Sequence, residues 1–210
     1  ELRAAYPDAP ETRWDATLLP GLVNAHTHLQ YTGLAELGAV RYDGFEPWCR
    51  AFDAAYPAVR DPDAWGAAAR DGLERSLAAG VTCFGDVVTD DSARDVLRDA
   101  GVAGVAYLEA LGDDADRWAR WGRPRFLARL GAEPQRRALG VAPHAPYSLD
   151  TAVIADLGRI ARARGLRLHV HLAESELEHE LVLAGSGRLA AMVREWGWRL
   201  ELLERGGAGQ

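Results

Sequence analysis

The sequence predicts an α/β fold of the (β/α)-barrel kind, and three observations lead there. Five apolar, strand-like runs recur along the 210 residues with helical stretches between most of them. Several of these runs lack polar alternation, as strands do when helices cover a parallel sheet. Histidines stand at the C-terminal ends of three of the runs, where a barrel gathers its chemistry. Periodicity alone leaves a doubly wound sheet open, and the placing of the histidines favours the barrel. No repeat of a fixed solenoid period is evident.

The first run, Leu18 to Ala25, leads straight into His26-Thr27-His28. Residues two apart on a strand point to one side, so both imidazoles face one space just where the chain stops being apolar. Read from these residues alone, a metal site and a hydrogen-bonded polar edge are both open. Pro47 to Pro62 then reads as an irregular or partly helical excursion carrying Trp48, Phe52 and Tyr56. Long loops after barrel strands often cover the site, so these aromatics form either a small core under the loop or a contact for ligand. Asp63 to Ala79 keeps helical spacing and stops at Gly80, before the second strand, Val81 to Val88. Ser92 to Ala100 is a helix ending at Gly101, and the third strand is Val102 to Leu111.

The fourth strand, Leu139 to Pro143, ends at His144 in a proline-flanked turn. Asp150 to Arg164 is helical, with Asp150 the expected N-cap and Gly165 the stop. The fifth strand, Leu166 to Leu172, carries His169-Val170-His171 and looks made for burial on both sides. Glu174 follows, and read alone it either caps the next helix with Ser175 or carries protons. Leu181 to Glu195 is helical, and His179 lies on a charged helical stretch where it reads as solvated. Two histidine pairs make a metal the stronger reading, since imidazole suits zinc and iron alike.

Composition narrows the partners. Hydrophobic residues make up 48% and charged residues 26%, an ordinary balance for a chain that buries a core. A formal net charge of −7 with no basic tract argues against nucleic acid as a partner. All 24 cationic side chains other than histidine are arginine, which reads as coding bias. Cys49 and Cys83 are too few for a disulfide framework, so a reducing cytoplasm is expected. No apolar run is long enough to span a membrane, and the acidic start is unlike a signal peptide. The first residue, Glu1, is not methionine, so an upstream part is expected to be missing.

Three segments together resemble the amidohydrolase superfamily: Pro20-Gly21-Leu22-Val23-Asn24-Ala25-His26-Thr27-His28-Leu29, Ala142-Pro143-His144-Ala145-Pro146-Tyr147-Ser148 and His169-Val170-His171-Leu172-Ala173-Glu174-Ser175. Within it they are most similar to the deaminase and chlorohydrolase branch, and the run through Tyr42-Asp43-Gly44-Phe45 is closest to aminodeoxyfutalosine deaminase-like proteins. The resemblance implies a (β/α)8 TIM-like barrel of the metal-dependent hydrolase type, of which about five strands are present, with residues 1–17 a lead-in or remnant of a small β-sandwich and residues 18–210 the N-terminal part of the barrel.

By the same resemblance, His26, His28 and His171 bind one divalent metal ion, zinc before iron. His169, one layer deeper on the strand face of His171, is a hydrogen-bonded barrel residue, a ligand role being the alternative. Metal-activated water attacks an amino- or halogen-bearing ring carbon, and Glu174 moves the proton. His144 and Trp48 contact a small heteroaromatic or nucleoside substrate such as a 6-aminopurine nucleoside. The family's strand-six histidine and strand-eight aspartate have no counterpart in the sequence. A barrel cut at five strands is therefore expected to be inactive alone and prone to association, as a homo-oligomer or with another chain. A chlorohydrolase, a cyclic amide hydrolase and a noncatalytic metal-binding module are the other readings.

Overall fold

The computed structural model describes residues 2–59, 61–131 and 139–205. Five strands form one sheet: β1 (Leu22–Thr27), β2 (Val81–Val88), β3 (Ala103–Ala110), β4 (Leu139–Pro143) and β5 (Arg167–Leu168). Their order in space is their order in sequence, and every neighbouring pair is parallel. Parallel neighbours need long crossovers, and helices supply them. The helices α1 (Phe45–Val59) and α2 (Pro62–Ala78) follow β1, α3 (Val96–Asp99) follows β2, and α4 (Arg123–Leu130) follows β3. After β4 comes α5 (Thr151–Arg164), and after β5 come α6 (Glu176–Ala184) and α7 (Gly187–Glu195). This is the winding of a barrel, present as an arc of five staves.

The pleat sorts side chains between two environments. Phe84 and Val88 of β2, Ala106 and Leu108 of β3 and Val141 of β4 belong to one large core with Leu73 of α2, Phe126 of α4 and Leu157 of α5. Their sequence neighbours Val87, Val105, Tyr107 and Ala142 pack together on the other, concave face. Burial is deep in β2, β3 and β4 and falls away at the two edges. Leu22 and Val23 of β1 and Leu168 of β5 are more than two-fifths exposed. The expectation of a fifth strand buried on both sides is therefore not met among the described residues, because β5 pairs only with β4.

Other boundaries moved for local reasons. β1 begins at Leu22, not Leu18, because Pro20 brings no backbone N–H, and the first described bond is Leu22 N–H to the Gly80 carbonyl. The Pro47 to Pro62 excursion is mostly α1, which tolerates Pro57 near its end. The helix expected over Ser92 to Ala100 breaks into a 3-10 turn at Asp91–Ala93 and α3, since the Asp90 carboxylate takes the Ser92 N–H. The stretch Leu181 to Glu195 is two helices parted at Gly185, whose φ of 63° ends α6. Helix α4 carries no signal of its own in the spacing. Among the described residues no helix is long and apolar enough to cross a membrane.

A second core joins the end of the chain to the mouth of the arc. Cys49 of α1 packs with Tyr147, Leu181 of α6 and Leu189 and Met192 of α7. Helix α1 is also tied there by polar contacts: Trp196 Nε1 donates to Asp53 at 2.7 Å and Arg50 to Glu195 at 3.0 Å. Asp150, expected as an N-cap, precedes α5 but makes no side-chain cap bond. Its buried carboxylate instead accepts from the backbone N–H groups of Ala115 and Glu201, both at 2.8 Å, joining three segments. Replacing Asp150 by Ala strands both donors, so chemical denaturation should show a loss of about 3 kcal/mol.

Candidate functional site

The concave face brings the two histidine pairs together. His26 and His28 come from β1, and His169 and His171 from the chain just beyond β5, which stays aligned through His169 N–H to Val141 O (2.9 Å) and His171 N–H to His144 O (2.8 Å). Across the arc, His26 Nδ1 lies 2.8 Å from His169 Nε2, and His28 Nε2 lies 3.2 Å from His171 Nε2. One ring nitrogen from each of His26, His28 and His171 falls within 4.8 Å of the others. His171 donates its Nδ1–H to the His144 carbonyl at 2.9 Å, which leaves the lone pair of Nε2 turned to the cluster. His28 Nδ1 is buried and has no hydrogen-bond partner among the described residues. Ring nitrogens converging from three imidazoles are what a divalent ion satisfies, so these residues fit a metal.

Burial and crowding set the charge state. Burial first, and then His171 and His26, lower His28 to about 3. Burial also lowers His144 to about 4, with His171 adding to the shift. His26 and His169 move the same way, chiefly by burial. Neutral imidazole is the ligating form, so His26 and His28 are set for metal without first shedding protons.

All six residues singled out from the sequence (His26, His28, His171, Glu174, His144 and Trp48) line one cavity of about 590 Å³. Its outer wall is aromatic: Trp48 is 40% exposed and stacks with Phe45, ring centroids 5.8 Å apart, and Phe52 meets it at a tilt at 5.6 Å. Trp196 and Trp198 line it from the other end of the chain. Such walls suit a flat apolar ring.

Glu174 reaches the cavity because neighbours take over the capping. Ser175 Oγ accepts from Glu178 N–H, while the buried Glu178 carboxylate accepts from Ala173 N–H (3.0 Å) and Glu174 N–H (2.7 Å). This clamp holds Ala173 at φ 59°, a left-handed conformation uncommon for a residue with a Cβ. The Glu174 side chain is thereby free, and its Oε2 accepts a 2.5 Å hydrogen bond from Tyr147 OH. Burial, reinforced by that carboxylate, raises the Tyr147 phenol and keeps it a donor. His179 is exposed on α6.

Residues 17–191 match the family model described as the amidohydrolase family. The chain belongs to the amidohydrolase family. Among curated relatives, the aminodeoxyfutalosine deaminase of Deinococcus radiodurans is 31% identical over 194 residues, covering 90% of this chain and 44% of that protein. Among solved structures, Helicobacter pylori aminofutalosine deaminase in complex with methylthio-coformycin superposes with a TM-score of 0.75 at 23% identity, covering 92% of this chain and 47% of that one. An adenosine deaminase from Xanthomonas campestris with bound zinc gives 0.63 at 22% identity, covering 89% and 48%. The two structural likenesses show the shared fold. The chain spans about half the length of the relatives it matches.

Within this amidohydrolase chain the sequence reading passed over Tyr147, Glu109, Thr89 and Asp86. Glu109 had a signal, being an acid inside the apolar run of β3. Asp86 had the same signal in β2. It is fully buried, accepts from Leu29 N–H at 2.8 Å and so fixes the chain directly after His28, while its other oxygen has no partner among the described residues. Burial pushes the Asp86 carboxyl up to about 7. With the folded value raised, the folded state holds a proton that the unfolded chain releases from about pH 4 upward, so stability falls as pH rises toward 7. Asp86→Asn removes that proton, so relative to wild type the variant should gain about 3 kcal/mol between pH 4 and pH 7 in denaturant melts.

Proposed function

We propose that the protein to which these residues belong is a metal-dependent hydrolytic deaminase of an amino-substituted heteroaromatic ring, of the 6-aminopurine nucleoside class that includes aminodeoxyfutalosine. The observation that carries this reading is the convergence of three imidazole nitrogens and a clamped but uncapping glutamate on one aromatic-walled cavity. The deaminase names of the relatives support it.

In this reading His26, His28 and His171 hold one divalent ion, zinc before iron. When bound, the ion supplies Lewis acidity that brings the pKa of water near neutrality. Glu174 takes a proton from the attacking water and places it on the ring nitrogen beside the reacting carbon. The Tyr147 hydroxyl holds Oε2 of that carboxylate, which leaves Oε1 to move the proton. The oxygen of water adds to the ring carbon, the C–N bond breaks, and ammonia leaves. His169 fixes the ring of His26 through Nδ1, and Trp48 stacks on the substrate and excludes water. His144 donates Nδ1–H to Ser148 Oγ, whose own hydrogen goes to the Ala145 carbonyl, so Nε2 is an acceptor aimed at the substrate.

Metal analysis and ammonia release in the complete polypeptide test the assignment. His26→Ala and His171→Ala should each lose stoichiometric metal. Glu174→Gln should keep the metal while kcat falls by about 10²–10⁴-fold. Full metal and activity in either histidine variant would sink the ligand set, and a fully active Glu174→Gln would remove the proton carrier.

A further inference from the structure

Glu178 is a buried acid on α6, 3% exposed, that lies outside the cavity and touches no substrate. An acid so deep is tolerated only where its oxygens are met, and here the main chain meets both. Oε1 accepts from Ala173 N–H at 3.0 Å and Oε2 from Glu174 N–H at 2.7 Å. This is not what capping a helix requires. In a capping box the acid at the third helical position returns to the N–H of the cap residue. Ser175 is the cap of α6 and its Oγ accepts from Glu178 N–H at 3.3 Å, so that half of the box is in place. The other half is displaced, because the carboxylate passes over Ser175 N–H and takes the two N–H groups before it.

Those two peptide groups lie on either side of the Ala173 Cα. Ala173 is the one residue other than glycine with a left-handed φ among the described residues, at 59°. A residue with a Cβ stays there only when its surroundings hold it. The turn stands between His171 and α6, so it sets the point and direction at which Glu174 leaves the main chain. His171 does not need it: the His144 carbonyl takes both its main-chain N–H at 2.8 Å and its ring N–H at 2.9 Å. Glu174 is thus held at its main-chain end by Glu178 and at its carboxylate by Tyr147 OH. Tyr147 packs in one core with Leu181, three residues beyond Glu178 on α6, so both holds are fixed to the same packed body.

We propose that Glu178 is a positioning residue for the proton carrier: by holding the turn at Ala173 it aims Glu174 into the cavity, and it acts on the reaction only through Glu174. This rests on the deaminase reading, with Glu174 as the carrier. Proton transfer needs the carboxylate within hydrogen-bond reach of both the attacking water and the ring nitrogen, and a misplacement of about 1 Å costs on the order of 10²-fold in rate. The metal ligands and the aromatic wall that receives substrate stand apart from the turn, so the effect falls on kcat and spares KM and metal.

Glu178→Gln keeps the shape of the side chain but has one acceptor and turns an NH2 group toward the second main-chain N–H. The test uses the complete, metal-loaded polypeptide and whichever of adenosine, 5′-methylthioadenosine and aminodeoxyfutalosine wild type deaminates fastest. Glu178→Gln should lower kcat by about 10- to 10²-fold, change KM by less than about 3-fold, keep its metal, and speed hydrogen exchange at the amides of residues 173 and 174. In a Glu174→Gln background the same substitution should cost less than about 2-fold, because the group it aims is gone. Ala173→Gly, free of the Cβ penalty at positive φ, should restore about 3-fold or more to Glu178→Gln. Losses of equal size with and without Glu174→Gln would make Glu178 a residue of the fold alone and overturn the proposal, as would wild-type kcat in Glu178→Gln, a loss of metal, or a glycine at 173 that restores nothing. Each of these leaves the deaminase reading standing so long as wild type releases ammonia. If wild type releases none from any of the three nucleosides, that reading fails and takes the proposal with it. Should Glu178→Gln not fold, Glu178→Asp, which keeps both acceptors but withdraws them by about 1.5 Å, replaces it in the same comparison with the same deciding results.

Discussion

β1 and β5 stand at opposite ends of the sheet order, and it is the curvature of the sheet that brings their side chains within hydrogen-bond distance. That curvature is maintained from both sides. Outside, α2, α4 and α5 press on the large core; inside, Tyr107 fills the hollow and its ring meets His169 edge-on, centroids 4.8 Å apart. Gly140 makes room for that ring, since a Cβ there would collide with it. Flatten the arc and the imidazoles separate. The histidine cluster therefore depends on packing far more than on any bond the histidines make.

The strand ends need their own support, because carbonyls at the tip of a parallel sheet lack partners. Arg129 supplies it. Its guanidinium reaches the carbonyls of Glu109 at 2.7 Å and Thr89 at 3.2 Å and pairs with Asp91 at 2.8 Å. Its side chain is only 20% exposed, unlike Arg75, whose ion pair sits in water and contributes little. One arginine among the 24 thus joins the ends of β2 and β3 directly behind the cavity wall.

What could be read from the sequence follows the same physics. β2 and β4 have the bounds their apolar runs suggested, because each has a strand on both sides and a helix layer outside. β1 and β5 do not, because an apolar run reports a readiness for burial, while a strand is counted by its pairing. The histidine pairs were legible because the period of two in a strand is a property of the chain itself. Trp48 was legible as an aromatic near the site, but whether it served a core or a cavity depended on where α1 docks. Tyr147 and Asp86 gain their meaning from neighbours tens of residues away. Asp150 shows the limit most clearly: it has the residue type and position of an N-cap, yet tertiary donors outcompete the helix for its carboxylate.

The separations along the chain carry a kinetic consequence. His26 and His169, His28 and His171, and Asp53 and Trp196 are each 143 residues apart, and Arg50 and Glu195 are 145 apart. Contacts of that span carry the loop-closure cost that slows folding. During synthesis, β1 and α1 leave the ribosome long before their partners exist. The cavity wall made by Trp48 and Phe52 must wait uncovered until residue 198 has been added. The site thus matures late in synthesis, and an arrested nascent chain carries His26 and His28 with nothing opposite them.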